Sequence, residues 1–255
     1  MFYSINPERG ISDFYCCIRS DDINYPFHVH SHIEFVYVLD GSLTVMIGED
    51  SFTLEKESLA VVMPYEIHSY RTNCKSDIFI IACPPEYIIE YRKVMQGKTF
   101  EPKYTSFSNA QRIIIEEITH SEYRDDFRKK ALIYCTLSDL YKHCSVKNVD
   151  IFEYDTYRKA IVYISEHYTE NISVKETAFY AGVTPSHMSR VLNNYGKPGF
   201  SEIINSMRAY ASKQKLEQTG LPISQIAYET GFGSIRNFNR IFKKIYNCSP
   251  RDIRR

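Results

Sequence analysis

Hydrophobic positions in the C-terminal part of the chain follow a helical period, and one pattern occurs there twice. In each copy an alanine, Ala178 or Ala227, stands four positions before a glycine, Gly182 or Gly231, and an amphipathic segment follows. Two helices that meet at a short turn approach each other closely, so the corner needs a small residue and an exit with positive φ. The repeated layout predicts two helix-turn-helix units.

The segment after each glycine has apolar residues at i, i+3, i+4 and i+7, which places them on one buried stripe. The stripes are Met188, Val191, Leu192 and Tyr195 in the first unit, and Phe238, Ile241, Phe242 and Ile245 in the second.

The opposite faces of these two helices are polar and carry no carboxylate. Their side chains donate hydrogen bonds to base edges or phosphates, so we predict a DNA-binding role. A pair of ordinary amphipathic surface helices is the alternative, and the tandem repeat disfavours it. The predicted DNA-facing residues are Ser186, His187, Ser189, Arg190, Asn193 and Asn194 in the first unit, and Arg236, Asn237, Asn239, Arg240, Lys243 and Lys244 in the second.

The arginines and lysines of these faces have different predicted roles. Arg190 and Arg240 each stand two positions after the first buried residue of the stripe. Arginine recognises guanine through a bidentate pair, so we predict that both read bases. Lys243 and Lys244 are predicted to contact phosphates.

Residues 1 to about 82 have the composition and spacing of β-strands. Short runs of β-branched and aromatic residues predict strands, and turn signals such as Asp40-Gly41 and Thr72-Asn73 separate them. Closely spaced strands are typical of a small antiparallel barrel or a double-sheet jelly roll. The predicted strands cover 14–18, 35–39, 43–47, 59–63 and 78–82.

The period changes to about 3.6 residues after Pro84. It predicts helices over 86–95, 110–119 and 126 to about 144, then a polar linker over 145–150 and a helix over 157–167. The three central helices bury their apolar faces against the barrel or against a second subunit, and the pattern leaves both open. The third helix carries Phe127, Ala131, Tyr134, Cys135, Leu137, Ser138 and Tyr141 on neighbouring turns.

Charge is unevenly distributed along the 255 residues. From Thr156 onward the chain has 15 basic and 7 acidic residues, whereas the rest of the chain has 16 basic and 24 acidic residues. A basic C-terminal part fits a nucleic-acid partner, because neutralising phosphates supplies most of the sequence-independent affinity.

Seven cysteines without a C-x-x-C pair argue against a disulfide framework and a cysteine zinc site. The start of the chain lacks a leader pattern, and long apolar runs are absent, so we expect a cytoplasmic protein without membrane contact.

The last hundred or so residues resemble the DNA-binding domain of the AraC family of transcription regulators. The resemblance implies two helix-turn-helix units joined by a linker helix, here 201–218, with both second helices in successive segments of the major groove. Leu192 departs from the pattern, since phenylalanine is commoner there. The motif residues are Gly231, Phe232, Ser234, Phe238, Arg240, Phe242, Lys243, Lys244, Ser249, Pro250 and Arg254.

A histidine-rich segment lies among the predicted strands. Alternation along a strand puts positions 28, 30, 32 and 34 on one side. The run His28-Val-His30-Ser-His32-Ile-Glu34, with His68 after Pro64, resembles the two cupin motifs, although the second lacks its usual glycine and brings its histidine one position early. In metal-binding cupins the residues that correspond to His28, His30, Glu34 and His68 are ligands.

AraC-type sensing domains often keep these side chains while binding an organic effector. We therefore expect a small polar effector, with a carbohydrate as the favoured class, and no resident metal or other cofactor. A metal bound by the same four residues and a cluster without any ligand are the alternatives. The predicted effector-binding residues are His28, His30, Glu34, His68 and Tyr70.

These patterns predict an α+β chain of two domains. Residues 1–147 would form a cupin-like antiparallel β-barrel with trailing helices, and residues 148–255 an all-α double helix-turn-helix domain. We predict a non-enzymatic, homodimeric transcription regulator that binds double-stranded DNA and a small-molecule effector. The rival hypotheses are a metal-dependent cupin enzyme with a DNA-binding tail, and a constitutive DNA binder whose barrel serves only dimerisation.

Overall fold

The computed structural model describes residues 16–120, 126–195 and 199–254. Within these ranges, an antiparallel sheet with three helices forms the N-terminal domain, and seven helices form the C-terminal one. Of the predicted strand 14–18, the first two residues lie outside the described part. In the described part of the chain, no helix is both long enough and apolar enough to cross a membrane.

The described part of the N-terminal sheet has seven strands: β1 (Cys16–Asp21), β2 (Asn24–His28), β3 (Ile33–Ile47), β4 (Asp50–Glu55), β5 (Ser58–Val62), β6 (His68–Cys83) and β8 (Tyr104–Ser106). The long strands β3 and β6 organise the sheet by pairing with each other along most of their length. The strand order is β1-β6-β3-β5-β8, while β2 also pairs with β6 and β4 with β3.

The predicted turns at Asp40-Gly41 and Thr72-Asn73 were wrong, because β3 and β6 run through them. Register shifts flank Gly41, which has φ +76°. A methyl group on Gly41 would lie 2.1 Å from the carbonyl oxygen of Lys75. The glycine therefore permits a bulge at which the paired strands bend without ending, and a pattern typical of a hairpin turn serves a different purpose.

Apolar side chains cover both faces of the bent sheet. One face carries Val36, Val45 and Ile80 in a core of strand residues. The other face carries Phe35, Tyr37 and other strand residues, which pack against helical residues including Leu132 and Leu140. The helices are α1 (Ile89–Met95), preceded by a 3-10 turn at Pro85–Ile88, α2 (Asn109–His120) and α3 (Asp126–His143).

Helix α3 packs on the sheet with a different face from the apolar face predicted from the sequence. Its buried positions are Leu132, Ile133, Thr136, Leu137 and Leu140. Of the seven residues predicted on neighbouring turns, only Leu137 is buried, and the other six are exposed. The sheet therefore leaves this stripe of α3 uncovered within the chain.

The predicted polar linker was wrong over most of its length. Residues 145–148 form β9 (Ser145–Asn148), which pairs with β7 (Lys98–Glu101) in a two-stranded sheet. The side chain of Asp150 then accepts hydrogen bonds from two backbone N–H groups and caps the next helix. That helix, α4 (Ile151–His167), starts six residues before its predicted first residue.

The C-terminal domain confirms the predicted pair of helix-turn-helix units and the helix between them. One core surrounds Ile161, Met188 and Ile203, and a second surrounds Ile226, Phe238 and Phe242. The remaining helices are α5 (Val174–Ala181), α6 (Pro185–Tyr195), α7 (Phe200–Gln218), α8 (Ile223–Glu229), α9 (Ile235–Tyr246) and α10 (Pro250–Ile253).

One of these hydrophobic cores contains residues of both domains. Val29 and Ile67 of the N-terminal domain are buried in the same cluster as Ile161 and Ile203 of the C-terminal domain. The Tyr154 hydroxyl also donates to the carbonyl oxygen of Pro64 at 2.9 Å. The interface is therefore both apolar and hydrogen-bonded.

Candidate nucleic-acid interface and buried polar cluster

The first unit consists of α5 and α6. Ser173 and Glu176 form a capping box at the start of α5, and Gly182 ends it with φ +74°. Ala178 is fully buried at the corner, as the small-residue pattern requires. These local signals fix the angle at which α6 leaves the turn and presents its polar face.

The second unit repeats this arrangement with α8 and α9. Ala227 is fully buried, Gly231 has φ +85°, and the Ser234 side chain accepts from the backbone of Asn237 at the start of α9. Asn247 ends α9 in the left-handed conformation. The pattern of buried and exposed positions along α9 matches that along α6.

The predicted DNA-facing residues are exposed on α6 and α9, except His187 and Asn237, which are half-buried. The stripe residues behind them are buried, with Tyr195 and Ile245 partly so. The structure therefore presents two polar helix faces without a carboxylate, each supported by its own core.

Three of the predicted DNA-facing cations contact neighbouring side chains. Arg190 pairs with Glu153 of α4, whose side chain is only 13% exposed, and also contacts His187 at 3.0 Å. Arg240 donates to Asn237 at 2.9 Å, and Lys244 pairs with Glu202 at 3.0 Å. Glu153 lies outside the repeated motif, so the motif gave no indication that it meets Arg190.

The predicted effector-binding residues come together on the sheet. Strand pairing places His28 of β2 opposite His68 of β6, and Tyr25 opposite Tyr70. Glu34 of β3 is only 2% exposed, and His68 and Tyr70 are buried as well. Strand alternation placed His32 on the same side, and its ring centroid lies 6.0 Å from that of His30, but His32 lies outside the group that could bind one metal ion.

Hydrogen bonds order this cluster tightly. His30 Nε2 lies 3.1 Å from one carboxylate oxygen of Glu34, and the Tyr70 hydroxyl donates to the other. His68 Nε2 lies 3.7 Å from Glu34, beyond hydrogen-bond distance. Within the described part of the chain, the Nε2 atoms of His28 and His68 are buried without a hydrogen-bond partner.

Burial and neighbouring groups set the charge state of the cluster. Burial lowers the pKa of His28 well below its usual value, and the charge of His68 acts in the same direction. Burial would raise the pKa of Glu34, but the hydrogen bond with His30 and the nearby His30 and His68 rings outweigh it and lower that pKa. Burial and Glu34 raise the pKa of Tyr70. Glu34 is therefore an anion at neutral pH, and Tyr70 keeps its proton.

The donor set fits a metal ion. One nitrogen each of His28, His30 and His68 and one oxygen of Glu34 lie within 4.8 Å of one another. Imidazole and carboxylate are ligands that zinc and other divalent transition metals accept. The same groups also hydrogen-bond to hydroxyls, so the chemistry suits a polar organic ligand too.

The sequence motif did not identify the residues that join this cluster to the C-terminal domain. Val29 lies between two of the histidines and Ile67 precedes His68, and both are buried against helices of the other domain. An apolar residue next to a histidine in a strand carries no sequence signal that identifies its partner. Only the tertiary structure shows this contact.

Comparisons with known proteins match each domain separately. Residues 15–137 match the model of an AraC-like ligand binding domain, and residues 177–255 match a helix-turn-helix domain model. GlxA of Rhizobium meliloti (strain 1021), an HTH-type transcriptional regulator, is 35% identical over 75 residues, which are 29% of this chain and 23% of that protein. An uncharacterized HTH-type transcriptional regulator of Staphylococcus aureus is 32% identical over 107 residues, 42% of this chain. That segment is 14% of the relative, so the chain spans less than a quarter of either protein.

Solved structures match nearly the whole chain. ToxT from Vibrio cholerae with a bound unsaturated fatty acid superposes with a TM-score of 0.67 at 17% identity and covers 96% of both chains. An apo ToxT variant gives a TM-score of 0.66 at 18% identity, with 96% of this chain and 98% of that chain covered. At this identity the likeness establishes the two-domain fold.

Proposed function

The chain belongs to the AraC family of transcription regulators, and we propose that it binds specific DNA under the control of a small molecule held in its N-terminal domain. The two exposed, carboxylate-free faces of α6 and α9 are the observation that carries this proposal. Their cations and amides are the groups that contact phosphates and base edges. A regulator that binds genomic DNA must be in the same compartment as that DNA, so we propose a cytoplasmic location.

Selection of bound duplexes from a random-sequence library tests the DNA-binding role. We expect enrichment of a site with two segments, one for each unit, and affinity that falls steeply as salt rises. A library that stays random after several rounds, with only salt-sensitive binding, would contradict sequence-specific recognition.

For the effector we propose a small polar molecule, with a carbohydrate as the first class to test. His28, His30, Glu34, His68 and Tyr70 supply the donors and acceptors that recognise hydroxyl groups. A fatty acid is the competing class, because the similar ToxT structure contains one. Thermal unfolding of the full chain with sugars and fatty acids separates the two. A specific ligand at a hundredfold excess over its Kd adds about 2.7 kcal/mol to the stability.

We also propose that the chain forms a homodimer through α3. Positions 127, 131, 134, 138 and 141 are all exposed and are spaced alternately by four and three residues, as in a coiled-coil seam. Phe127, Tyr134 and Tyr141 supply large apolar surface on this stripe, and Phe127 is 88% exposed. A stripe of this kind is complementary to a second copy of itself, so a second chain is the partner we propose.

Replacing Ala131 by glutamate should weaken the dimer about tenfold or more, because it places two like charges in the desolvated seam. Sedimentation equilibrium measures the dissociation constant. Ala110→Glu is the matched control, since Ala110 is an exposed alanine in the first turn of α2, where a carboxylate is tolerated. Equal dimer strength in the two variants would rule out the α3 seam.

Replacing Glu153 by glutamine should strengthen specific DNA binding about two- to fivefold. Glu153 pairs with Arg190 and adds a negative charge beside the predicted DNA face of α6. The Arg190 side chain is 55% exposed, so water replaces the lost contact at that end, and the glutamine amide keeps the size of the Glu153 side chain. Fluorescence anisotropy on the selected site measures the change. The control Glu229→Gln removes an ion pair with Lys215 on α7 and should leave affinity unchanged.

A further inference from the structure

Helix α7 connects the two helix-turn-helix units and packs against both. Its Ile203 is buried in the core of the first unit, and its Leu216 is buried in the core of the second. Between these two positions, Arg208 and Ser212 lie one helical turn apart, so their side chains share one face of the helix. The partners of these two polar side chains show how the units are held relative to each other.

Arg208 binds the segment that leads into the first unit. Its Nε donates to the carbonyl oxygen of Tyr168 at 2.6 Å, and one of its terminal nitrogens donates to the carbonyl oxygen of Glu170 at 2.7 Å. The guanidinium presents its donors in a fixed planar fork, so two bonds from one group set the position of the backbone that they hold. Residues 168–170 lie between α4 and α5. Arg208 thus attaches α7 to the entrance of the first unit.

The same segment contacts the turn of the second unit. An added methyl group on Gly231 would lie 2.4 Å from the carbonyl oxygen of Thr169 and 2.7 Å from its Cα, so the two backbones pack directly against each other. Thr169 stands between the two residues whose carbonyl groups Arg208 holds. Residues 168–170 are therefore in contact with both α7 and the second unit.

Ser212 holds the second unit from α7. The Ser212 and Thr230 hydroxyls lie 2.8 Å apart, and both residues are buried. Thr230 is the C-cap of α8, and its hydroxyl also donates to the carbonyl oxygen of Ile226. One turn of α7 is therefore hydrogen-bonded to the segment before the first unit and to the end of the first helix of the second unit.

We propose that Arg208 is a positioning residue that fixes the spacing of the two DNA segments read by α6 and α9. This inference rests on the DNA-binding function proposed above. Two binding modules on one frame act together only where both sites lie at the matching distance and rotation. One added base pair moves the second segment by about 3.4 Å along the duplex and turns it by about 35°. A frame held through residues 168–170 follows that change only by breaking these contacts.

Binding to duplexes of altered spacing tests this role. We expect the wild type to lose affinity about tenfold or more when one base pair is added between the two segments of the selected site, since both units must engage at once. The frame is looser in Arg208→Ala. Its affinity at the selected spacing should fall about tenfold, while the penalty for the added base pair shrinks to about threefold or less. Fluorescence anisotropy of the full chain measures both quantities.

The spacing penalty separates positioning from a loss of folded protein, because fewer competent molecules weaken binding to every duplex equally and leave the penalty unchanged. Arg208→Lys keeps the charge and the apolar stem but lacks the planar fork, so its penalty should lie between those of the wild type and Arg208→Ala. Lys159→Ala is the matched control, since Lys159 is a half-buried cation whose ion pair with Asp155 lies within α4. It should keep the wild-type penalty.

Circular dichroism verifies that each variant is folded, and Arg208→Lys decides the question if Arg208→Ala does not fold. The proposal is overturned if the folded Arg208 variants keep the wild-type spacing penalty. It is also overturned if the wild type itself tolerates the added base pair.

The distance between α6 and α9 tests the frame without DNA. Spin labels carried by non-canonical residues at the exposed positions 186 and 236 leave the cysteines unchanged. Pulsed electron paramagnetic resonance should give one narrow distance distribution with Arg208 and a broader one with alanine in its place. Equal widths overturn the proposal. If the distribution broadens but no form of the protein selects a DNA sequence, the proposed function fails, while the role of Arg208 in holding the two units stands.

Discussion

Replacing Gly231 by alanine should lower the free energy of unfolding of the C-terminal domain by about 3 kcal/mol and abolish specific DNA binding under conditions where the wild type binds. Gly231 has φ +85°, which costs a residue with a Cβ about 1–2 kcal/mol. The added methyl group would also lie 2.4 Å from the carbonyl oxygen of Thr169 and 2.7 Å from its Cα. Those atoms are backbone, so relief requires the segment between α4 and α5, which carries Thr169, to move away from the second unit, at a further cost of about 1–3 kcal/mol.

Gly182 provides the matched control, because it occupies the same place in the first unit. Its φ is +74°, but a methyl group there would meet no atom within 4 Å in the described part of the chain. Gly182→Ala should therefore cost only the backbone strain, about 1 kcal/mol. Urea unfolding of the full chain, followed by circular dichroism, measures both variants. Equal losses would show that the close approach of Gly231 to Thr169 adds nothing to stability.

Sequence periodicity predicted the C-terminal domain well for a physical reason. Each buried stripe there is local, since residues three and four apart on one helix form it without help from the rest of the chain. Met188, Val191, Phe238 and Phe242 were therefore identifiable from spacing, and all four are buried. The contact between Gly231 and Thr169 was not, because it joins segments distant in sequence.

The N-terminal sheet was less predictable because strand pairing is non-local. The pattern at Asp40-Gly41 is typical of a tight turn, yet Gly41 permits a bulge whose partner, Lys75, is far away in the chain. Strand β2 escaped prediction, since its sequence from Asn24 to His28 contains a proline and no long apolar run. In both cases the deciding interaction was with β6.

The polar cluster lies between these extremes. The sequence grouped His28, His30 and Glu34, but the predicted reason, alternation along one strand, was wrong, because β2 ends at His28 and β3 begins at Ile33. The irregular backbone between the two strands leaves His32 out of the group. His68 joins through its pairing with His28. The spacing thus identified candidate ligands, whereas the unpaired Nε2 atoms and the contact with α4 became visible only in the fold.

Replacing Arg240 by alanine should reduce affinity for the selected DNA site by about 1–3 kcal/mol while leaving binding to random DNA nearly intact. Arg240 is exposed in the middle of α9. We predict that it pairs with a guanine edge, and bidentate pairs of this kind account for a discrimination of that size. Its hydrogen bond to Asn237 orients the side chain without burying it. Since the side chain is exposed, the substitution should leave the unfolding midpoint unchanged, so the loss of affinity reports on recognition.

Lys243→Ala shows what the loss of a non-specific phosphate contact does, for comparison with the base-specific contact predicted for Arg240. Lys243 is an exposed cation on the same helix, and we predict that it contacts a phosphate. Its loss should weaken binding to specific and random DNA alike and should lower the slope of log affinity against log salt by about one. Arg251→Ala removes an exposed charge from α10 and serves as the control for net charge alone. Anisotropy titrations at several salt concentrations measure all three variants. If Arg240→Ala behaves like Lys243→Ala, then Arg240 contacts the phosphate backbone, and the specificity of the second unit comes from other residues of α9.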